Sequence, residues 1–182
     1  MKPHLLVLSG LGNSGEQHWQ TYWQKLYANS SKVQQQNWDE PQLKDWLYAL
    51  DESITKLDQP TVLVAHSLAV SLVLHWSKSN ANSHIVGALL VAPADVDSPQ
   101  HTPDCIRNFA PIPMHQLPFP SIVVASENDP YASIARKKEF AEHWGSDFVN
   151  VGCKGHINSE SNLHFWEEGQ EILQQLITKM DN

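Results

Sequence analysis

Short apolar runs alternate with amphipathic stretches along most of the chain. Runs with the length of strands buried in a sheet lie at residues 4–8, 60–65, 85–91, 121–125 and 148–151. A weaker, polar strand is expected at residues 32–36, near a sheet edge. Apolar residues recur at helical spacing over residues 16–27, 41–54, 67–77, 134–144 and 165–180. This alternation predicts a three-layer α/β sandwich with a mostly parallel six-stranded sheet.

A proline-rich stretch at residues 93–120 interrupts the alternation. Long irregular loops of this kind often shape binding sites. The stretch is too short to fold alone, so residues 1–182 are expected to form a single domain without a lid domain.

Charge and composition narrow the class of protein. The formal net charge of -8 disfavours nucleic acid and anionic membranes as partners, because both attract a basic surface. The short basic cluster 136–138 is interpreted as the solvated face of a helix. The apolar runs are too short to span a bilayer, and the first one is too short for a signal peptide core. Two cysteines without a CxxC pair indicate free thiols and a cytoplasmic location.

The clearest candidate for catalysis is Ser67. The predicted strand at residues 60–65 runs into Ala65-His66-Ser67-Leu68-Ala69, where a helix is predicted to begin. A serine flanked by small residues between a strand and a helix is typical of a nucleophile elbow. The alternative is that Ser67 only caps the helix, a role for which serine is well suited.

A base and an acid follow the serine in the order that such hydrolases use. Asp129 comes after the predicted strand 121–125, and His156 comes after the predicted strand 148–151. A histidine held by a carboxylate can take the serine proton, which makes the hydroxyl a nucleophile. Three other carboxylates also follow strands and are weaker candidates for the acid: Asp95, Asp97 and Glu127.

An oxyanion hole requires two backbone N–H groups that point toward the developing negative charge. The amide of Leu68, directly after the serine, is the first candidate. The amide of Leu11, in the glycine-containing loop after the first strand, is the second. This loop has neither the Lys-Ser/Thr of a P-loop nor the third glycine of a dinucleotide-binding loop.

Several motifs along nearly the whole chain resemble the small bacterial serine hydrolases related to YdeN and retinoblastoma-binding protein nine. They lie at residues 10–19, 38–41, 45–46, 64–68, 91–97, 128–131 and 155–161. The resemblance implies a compact, lidless α/β-hydrolase fold with Ser67, Asp129 and His156 as its triad. This chain carries Ala69 where the bacterial members usually have glycine, and His164 and Glu167 also depart from their pattern.

The resemblance also implies a substrate class. Members of the family hydrolyse esters, and those of the vertebrate branch hydrolyse amino-acid esters and amides. The expected function is therefore hydrolysis of a small carboxylic ester, or of an aminoacyl ester or amide, through an acyl-enzyme at Ser67 with no metal or organic cofactor. Substrate contacts are expected from Gly10, His18, Trp38 and Trp166.

The alternative function is a protein-binding module with marginal or no catalytic activity. The sequence leaves both a monomer and a homodimer open.

Overall fold

The computed structural model describes residues 2–79 and 84–180. Within them, six strands form one parallel sheet in the order β2-β1-β3-β4-β5-β6. The strands are β1 (His4–Leu8), β2 (Ser30–Lys32), β3 (Thr61–His66), β4 (Ile85–Val91), β5 (Ser121–Ala125) and β6 (Asp147–Asn150). The α-helices of the described residues are α1 (Trp19–Leu26), α2 (Leu43–Thr55), α3 (Leu68–Ser77), α4 (Ile134–Trp144) and α5 (Glu167–Met180).

The helices cover both faces of the sheet. Successive side chains of a strand point to opposite faces, so Leu63 and Ala65 of β3 pack into one core while Val62 and Val64 pack into the other. Helices α2, α3 and α4 contribute to the first core, and α1 and α5 contribute to the second. This arrangement confirms the predicted three-layer sandwich with a six-stranded parallel sheet.

The edge strand β2 does not lie where the sequence predicts it. It pairs with β1 over Ser30–Lys32, rather than at residues 32–36. Its three residues are polar, so no apolar pattern marks its register along the chain. A side-chain hydrogen bond of 2.7 Å between His4 Nε2 and Ser31 Oγ adds to the backbone pairing.

Helices α1 and α5 begin later than predicted because of the residues before them. His18 has an extended backbone, and its ring Nδ1 accepts a hydrogen bond from the Gln20 amide, so α1 begins at Trp19 rather than at residue 16. His164 and Trp166 both have positive φ angles, which are incompatible with a right-handed helix, so α5 begins at Glu167 rather than at residue 165.

The strand order places a binding crevice at one end of the sheet. The chain continues from β1 to β2 on one side, whereas β3 lies on the other side of β1. In open parallel sheets, ligands bind outside the carboxyl ends of the strands at such a reversal. Residues 9–11 after β1 and Ser67 after β3 therefore meet there. Among the described helices, none is both long and apolar enough to cross a membrane.

Candidate active site

Ser67 occupies a strained turn between β3 and α3. Its backbone has φ 59° and ψ -120°. Residues other than glycine rarely adopt this conformation, and where they do it is often at a functional site. The flanking small residues Ala65 and Ala69 are fully buried, so alanine is accommodated on both sides of the elbow. The Ser67 side chain makes no capping hydrogen bond to α3. Its Oγ instead lies 2.8 Å from His156 Nε2.

His156 connects Ser67 to Asp129. Its Nδ1 lies 2.9 Å from Asp129 Oδ1 and 3.0 Å from Oδ2. An ionised carboxylate only accepts hydrogen bonds, so Nδ1 carries the ring proton and donates a hydrogen bond to Asp129. Nε2 is then free to accept the hydroxyl proton of Ser67. The structure therefore brings together the three residues that were predicted as a triad, in the geometry that general-base activation of a serine requires.

The rival carboxylates have other partners. Asp95 and Asp97 both contact the Arg136 guanidinium, at 3.3 Å in each case. Glu127 accepts a 2.8 Å hydrogen bond from the side-chain amide of Asn150. Each of the three is thus held by a neighbour at the side of the site, while Asp129 takes the position at His156 Nδ1.

Lys137 is a member of this site that the sequence analysis placed wrongly. The cluster 136–138 was interpreted as a solvated helix face, but the Lys137 side chain is 0% exposed and its Nζ lies 2.5 Å from Asp129 Oδ2. The signal was present in the spacing, because Lys137 shares the buried stripe of α4 with Phe140, Ala141 and Trp144.

The charges around Asp129 influence its ionisation. Burial raises the pKa of its carboxyl group, but the hydrogen bonds and charges of His156 and Lys137 outweigh this effect and leave the pKa below its usual value. Burial lowers the pKa of the Lys137 ammonium, and the adjacent Asp129 opposes that change. The carboxylate is therefore held in its ionised form, as the base-orienting role requires.

Two backbone amides lie free at the elbow. Among the described residues, neither the Leu11 nor the Leu68 amide donates a hydrogen bond to a protein acceptor. Gly10 makes the approach of the two loops possible. A methyl group on Gly10 would lie 3.0 Å from the His66 carbonyl oxygen and 3.3 Å from the Leu68 nitrogen. Within the described part of the chain the two amides are thus without a protein acceptor, and their role as oxyanion donors stays a prediction.

A cleft of about 240 Å³ opens over Ser67. Gly10 and His18, two of the four predicted substrate contacts, line it. Pro103 and Ile106 of the proline-rich loop also line it, so that loop does shape the site. Within residues 2–79 and 84–180, no group of three or more His, Cys, Asp or Glu side chains is arranged to hold a metal ion.

The other two predicted contacts, Trp38 and Trp166, are not among the described residues that line the cleft, and this expectation is wrong. Trp166 is buried against Trp19 and Trp23 in the core beneath α1 and α5. Trp38 packs edge-on against Trp46 of α2. Proximity to loops in the sequence did not distinguish a wall of the cleft from a core position.

Two further histidines adjoin His156 and are neutral. Burial and the neighbouring His156 lower the pKa of His18 to about 3, and burial lowers the pKa of His66 well below its usual value. The backbone amide of Gln20 donates to His18 Nδ1, so the ring proton of His18 is on Nε2. His66 Nε2 donates to the backbone carbonyl of His156 at 2.9 Å, which fixes the loop that carries the base.

Gln20 is a second residue that the sequence analysis missed. Its buried amide nitrogen donates to the carbonyl oxygens of Leu8 and Val64, which joins the carboxyl ends of β1 and β3. Its carbonyl oxygen accepts hydrogen bonds from Ser9 and Ser14 in the loop after β1. Gln20 thereby holds the oxyanion loop to the strand that bears the elbow. Its place on an otherwise apolar face of α1 was the available signal.

Comparisons with known proteins identify the family and the fold. Residues 5–175 match the family model described as serine hydrolase. A YdeN-like hydrolase from Pectobacterium atrosepticum is similar in structure, with a TM-score of 0.86 and 28% identity over 98% of this chain and 92% of that one. The ydeN gene product of B. subtilis has a TM-score of 0.79 and 20% identity, over 97% and 100% of the two chains.

A more distant structure shares the fold. Est1E from Butyrivibrio proteoclasticus, solved with ferulic acid bound, has a TM-score of 0.73 and 14% identity over 97% of this chain and 90% of that one. The sequence has no significant match among curated proteins.

Proposed function

The chain belongs to the serine hydrolase family, in its YdeN-like branch of α/β-hydrolases, and from this premise we propose that it hydrolyses small esters or aminoacyl amides through an acyl-enzyme on Ser67. The observation that carries the proposal is the continuous set of hydrogen bonds from Ser67 Oγ through His156 to Asp129, at 2.8 and 2.9 Å. A serine that only capped α3 would not need an oriented imidazole at its hydroxyl.

Acylation begins with proton transfer. His156 Nε2 takes the hydroxyl proton as Ser67 Oγ attacks the carbonyl carbon of the substrate. Asp129 stabilises the imidazolium that forms and keeps the ring in the tautomer with Nδ1 protonated. Collapse of the tetrahedral intermediate breaks the bond to the leaving alcohol or amine, which takes the proton from His156.

The negative charge of the intermediate lies on the former carbonyl oxygen. In this proposal the amides of Leu11 and Leu68 donate to it; neither has a protein acceptor among the described residues. Each such donor is worth roughly 10²–10³-fold in kcat. A water molecule then attacks the acyl-enzyme, with His156 again as the base, and releases the acid. The side chains and amides supply the nucleophile, base, acid and oxyanion donors, so the proposed chemistry requires no metal or organic cofactor.

The cleft favours a small substrate. Its volume of about 240 Å³ is below the ~300–1,000 Å³ of pockets that enclose drug-sized ligands. His18 lines this cleft with a ring proton on Nε2 and no described protein partner at that atom, so it can donate a hydrogen bond to the substrate. Because its pKa is lowered to about 3, this donor stays neutral across the working range of pH.

The proposal is tested with p-nitrophenyl esters of increasing acyl length. We expect the unaltered protein to hydrolyse the short acyl esters with the highest kcat/KM, and Ser67→Ala to have no turnover above background. Aminoacyl p-nitroanilides assayed in parallel separate ester from amide preference. Turnover by Ser67→Ala equal to that of the unaltered protein would contradict the proposal and favour a protein-binding module.

A further inference from the structure

Lys137 approaches the proposed triad from behind the acid. It lies in the second turn of α4, eight residues after Asp129, and both side chains are 0% exposed. Nucleophile, base and acid are complete without it, so the mechanism above does not use this cation. We propose that Lys137 is a positioning residue that fixes the Asp129 carboxylate as the acceptor for His156 Nδ1 and thereby orients the base toward Ser67. This inference rests on the proposed function.

The hydrogen bonds at Asp129 support the positioning role. The Tyr131 amide donates to Oδ1 at 3.0 Å, and Lys137 Nζ donates to Oδ2 at 2.5 Å. His156 Nδ1 lies between the two oxygens, at 2.9 and 3.0 Å. A donor on each oxygen prevents rotation of the carboxylate, so the imidazole meets a fixed acceptor.

The charge of Lys137 strengthens its contact with Asp129. The two side chains form a charge-assisted hydrogen bond, and both are 0% exposed. Such bonds are roughly twice as strong as those between neutral groups, so Lys137 holds Oδ2 more firmly than a neutral donor would.

Other titratable and charged groups face this region from neighbouring elements. They are His18 before α1, His66 at the end of β3, Lys32 of β2, Tyr131 after β5, Arg136 of α4 and Glu160 at the rim of the cleft. The lowered pKa values of His18 and His66 leave both rings neutral. Arg136 is engaged by Asp95 and Asp97, and Lys32 donates to Asn13. Lys137 is therefore the cation that contacts the triad within the part of the chain that the structure describes.

A buried ion pair of this kind is not explained by stability alone. Replacing such pairs with apolar residues of similar volume is often neutral or stabilising, because both charges lose their hydration. The stripe of α4 would accept an apolar residue at position 137, where Phe140, Ala141 and Trp144 already pack. The carboxylate of Asp129 is the partner that explains a lysine here.

Two variants separate the charge from the hydrogen bond. Lys137→Met removes both and keeps an unbranched stem, whereas Lys137→Gln removes the charge and keeps an N–H donor. Lys138→Met is the matched control, because it removes a lysine from the adjacent, exposed position. The values of kcat and KM for a short p-nitrophenyl ester are measured for all three variants and for the unaltered protein, with circular dichroism to verify folding.

We expect kcat to fall by roughly tenfold or more in Lys137→Met with KM little changed, because a carboxylate that can rotate no longer holds the imidazole toward Ser67. The loss of kcat should be smaller in Lys137→Gln, because its side-chain amide can still donate to Oδ2. Lys138→Met should match the unaltered protein in both respects.

Three results would overturn the proposal. The kcat of Lys137→Met could equal that of Lys138→Met, or its KM could rise while kcat is unchanged. Both Lys137 variants could also fail to fold while Lys138→Met folds, which would assign the ion pair to folding. Failure of the proposed function is recognised separately, because the unaltered protein would then have no Ser67-dependent turnover; the present inference would fall with it.

Discussion

Gly10→Ala tests how closely the loop after β1 must approach the elbow. The added methyl carbon would lie 3.0 Å from the His66 carbonyl oxygen and 3.1 Å from Ser67 Cβ. Carbon atoms in contact prefer about 3.5–4.0 Å, so the loop must retreat by roughly half an ångström. The neighbours are backbone and a β-carbon, which cannot rotate away. The displacement therefore falls on residue 10 and on the adjacent Leu11 amide.

The expected cost of Gly10→Ala is mainly catalytic. A misplacement of about 1 Å can cost about 10²-fold in rate, so we expect kcat for a p-nitrophenyl ester to fall roughly 10- to 100-fold. Overpacking should also lower the free energy of unfolding by about 1–3 kcal/mol, measured by urea denaturation. Gly15→Ala is the control, since a methyl group there meets no atom within 4 Å. If Gly10→Ala had the same kcat as Gly15→Ala, the assignment of this loop to the oxyanion hole would be wrong.

Three further changes test other parts of the account. Asp129→Asn permits the wrong imidazole tautomer and should lower kcat by roughly 10⁴-fold in the same assay. A fall in kcat no greater than the fall caused by replacing an exposed carboxylate would count against Asp129 as the acid. Ser67→Ala/His156→Ala should be hardly less active than either single variant, because residues that act as a unit are not additive; additive losses would argue against a shared step. Gly169→Ala places a methyl carbon 2.2 Å from the Trp166 ring and should lower the urea midpoint while kcat is kept; an unchanged midpoint would contradict the core position of that ring.

The sequence predicts the central elements well because each carries its own signal. The fully buried strand β3 contains an unbroken apolar run at residues 62–65, and its observed bounds differ from the predicted ones by one residue at each end. The edge strand β2 has no such signal, since its pairing depends on the backbone and on the His4 side chain. The start of α5 depends on the left-handed backbone at His164 and Trp166, a conformation that neither residue type announces.

The catalytic residues of the candidate site can be predicted from their order along the chain. The residues whose burial depends on packing between elements cannot. A nucleophile after β3, an acid after β5 and a base after β6 can be expected from spacing, because parallel strands end at one edge of the sheet. The inward direction of Lys137 depends on its helical phase relative to Phe140, and composition alone indicates a solvated cluster. The burial of Trp166 depends on its packing against Trp19 and Trp23, a long-range contact that the local sequence does not express.

The central claim is that the reaction passes through an ester of Ser67. The most direct test is to quench the protein with acid during turnover of p-nitrophenyl acetate, digest it, and locate any acetyl group by mass spectrometry. The account predicts acetylation of Ser67 in the unaltered protein, at higher occupancy when deacylation is slowed at low temperature, and none at this position in His156→Ala. An unmodified Ser67 during steady turnover, or an acetyl group on a different residue that accumulates at the rate of product formation, would contradict it.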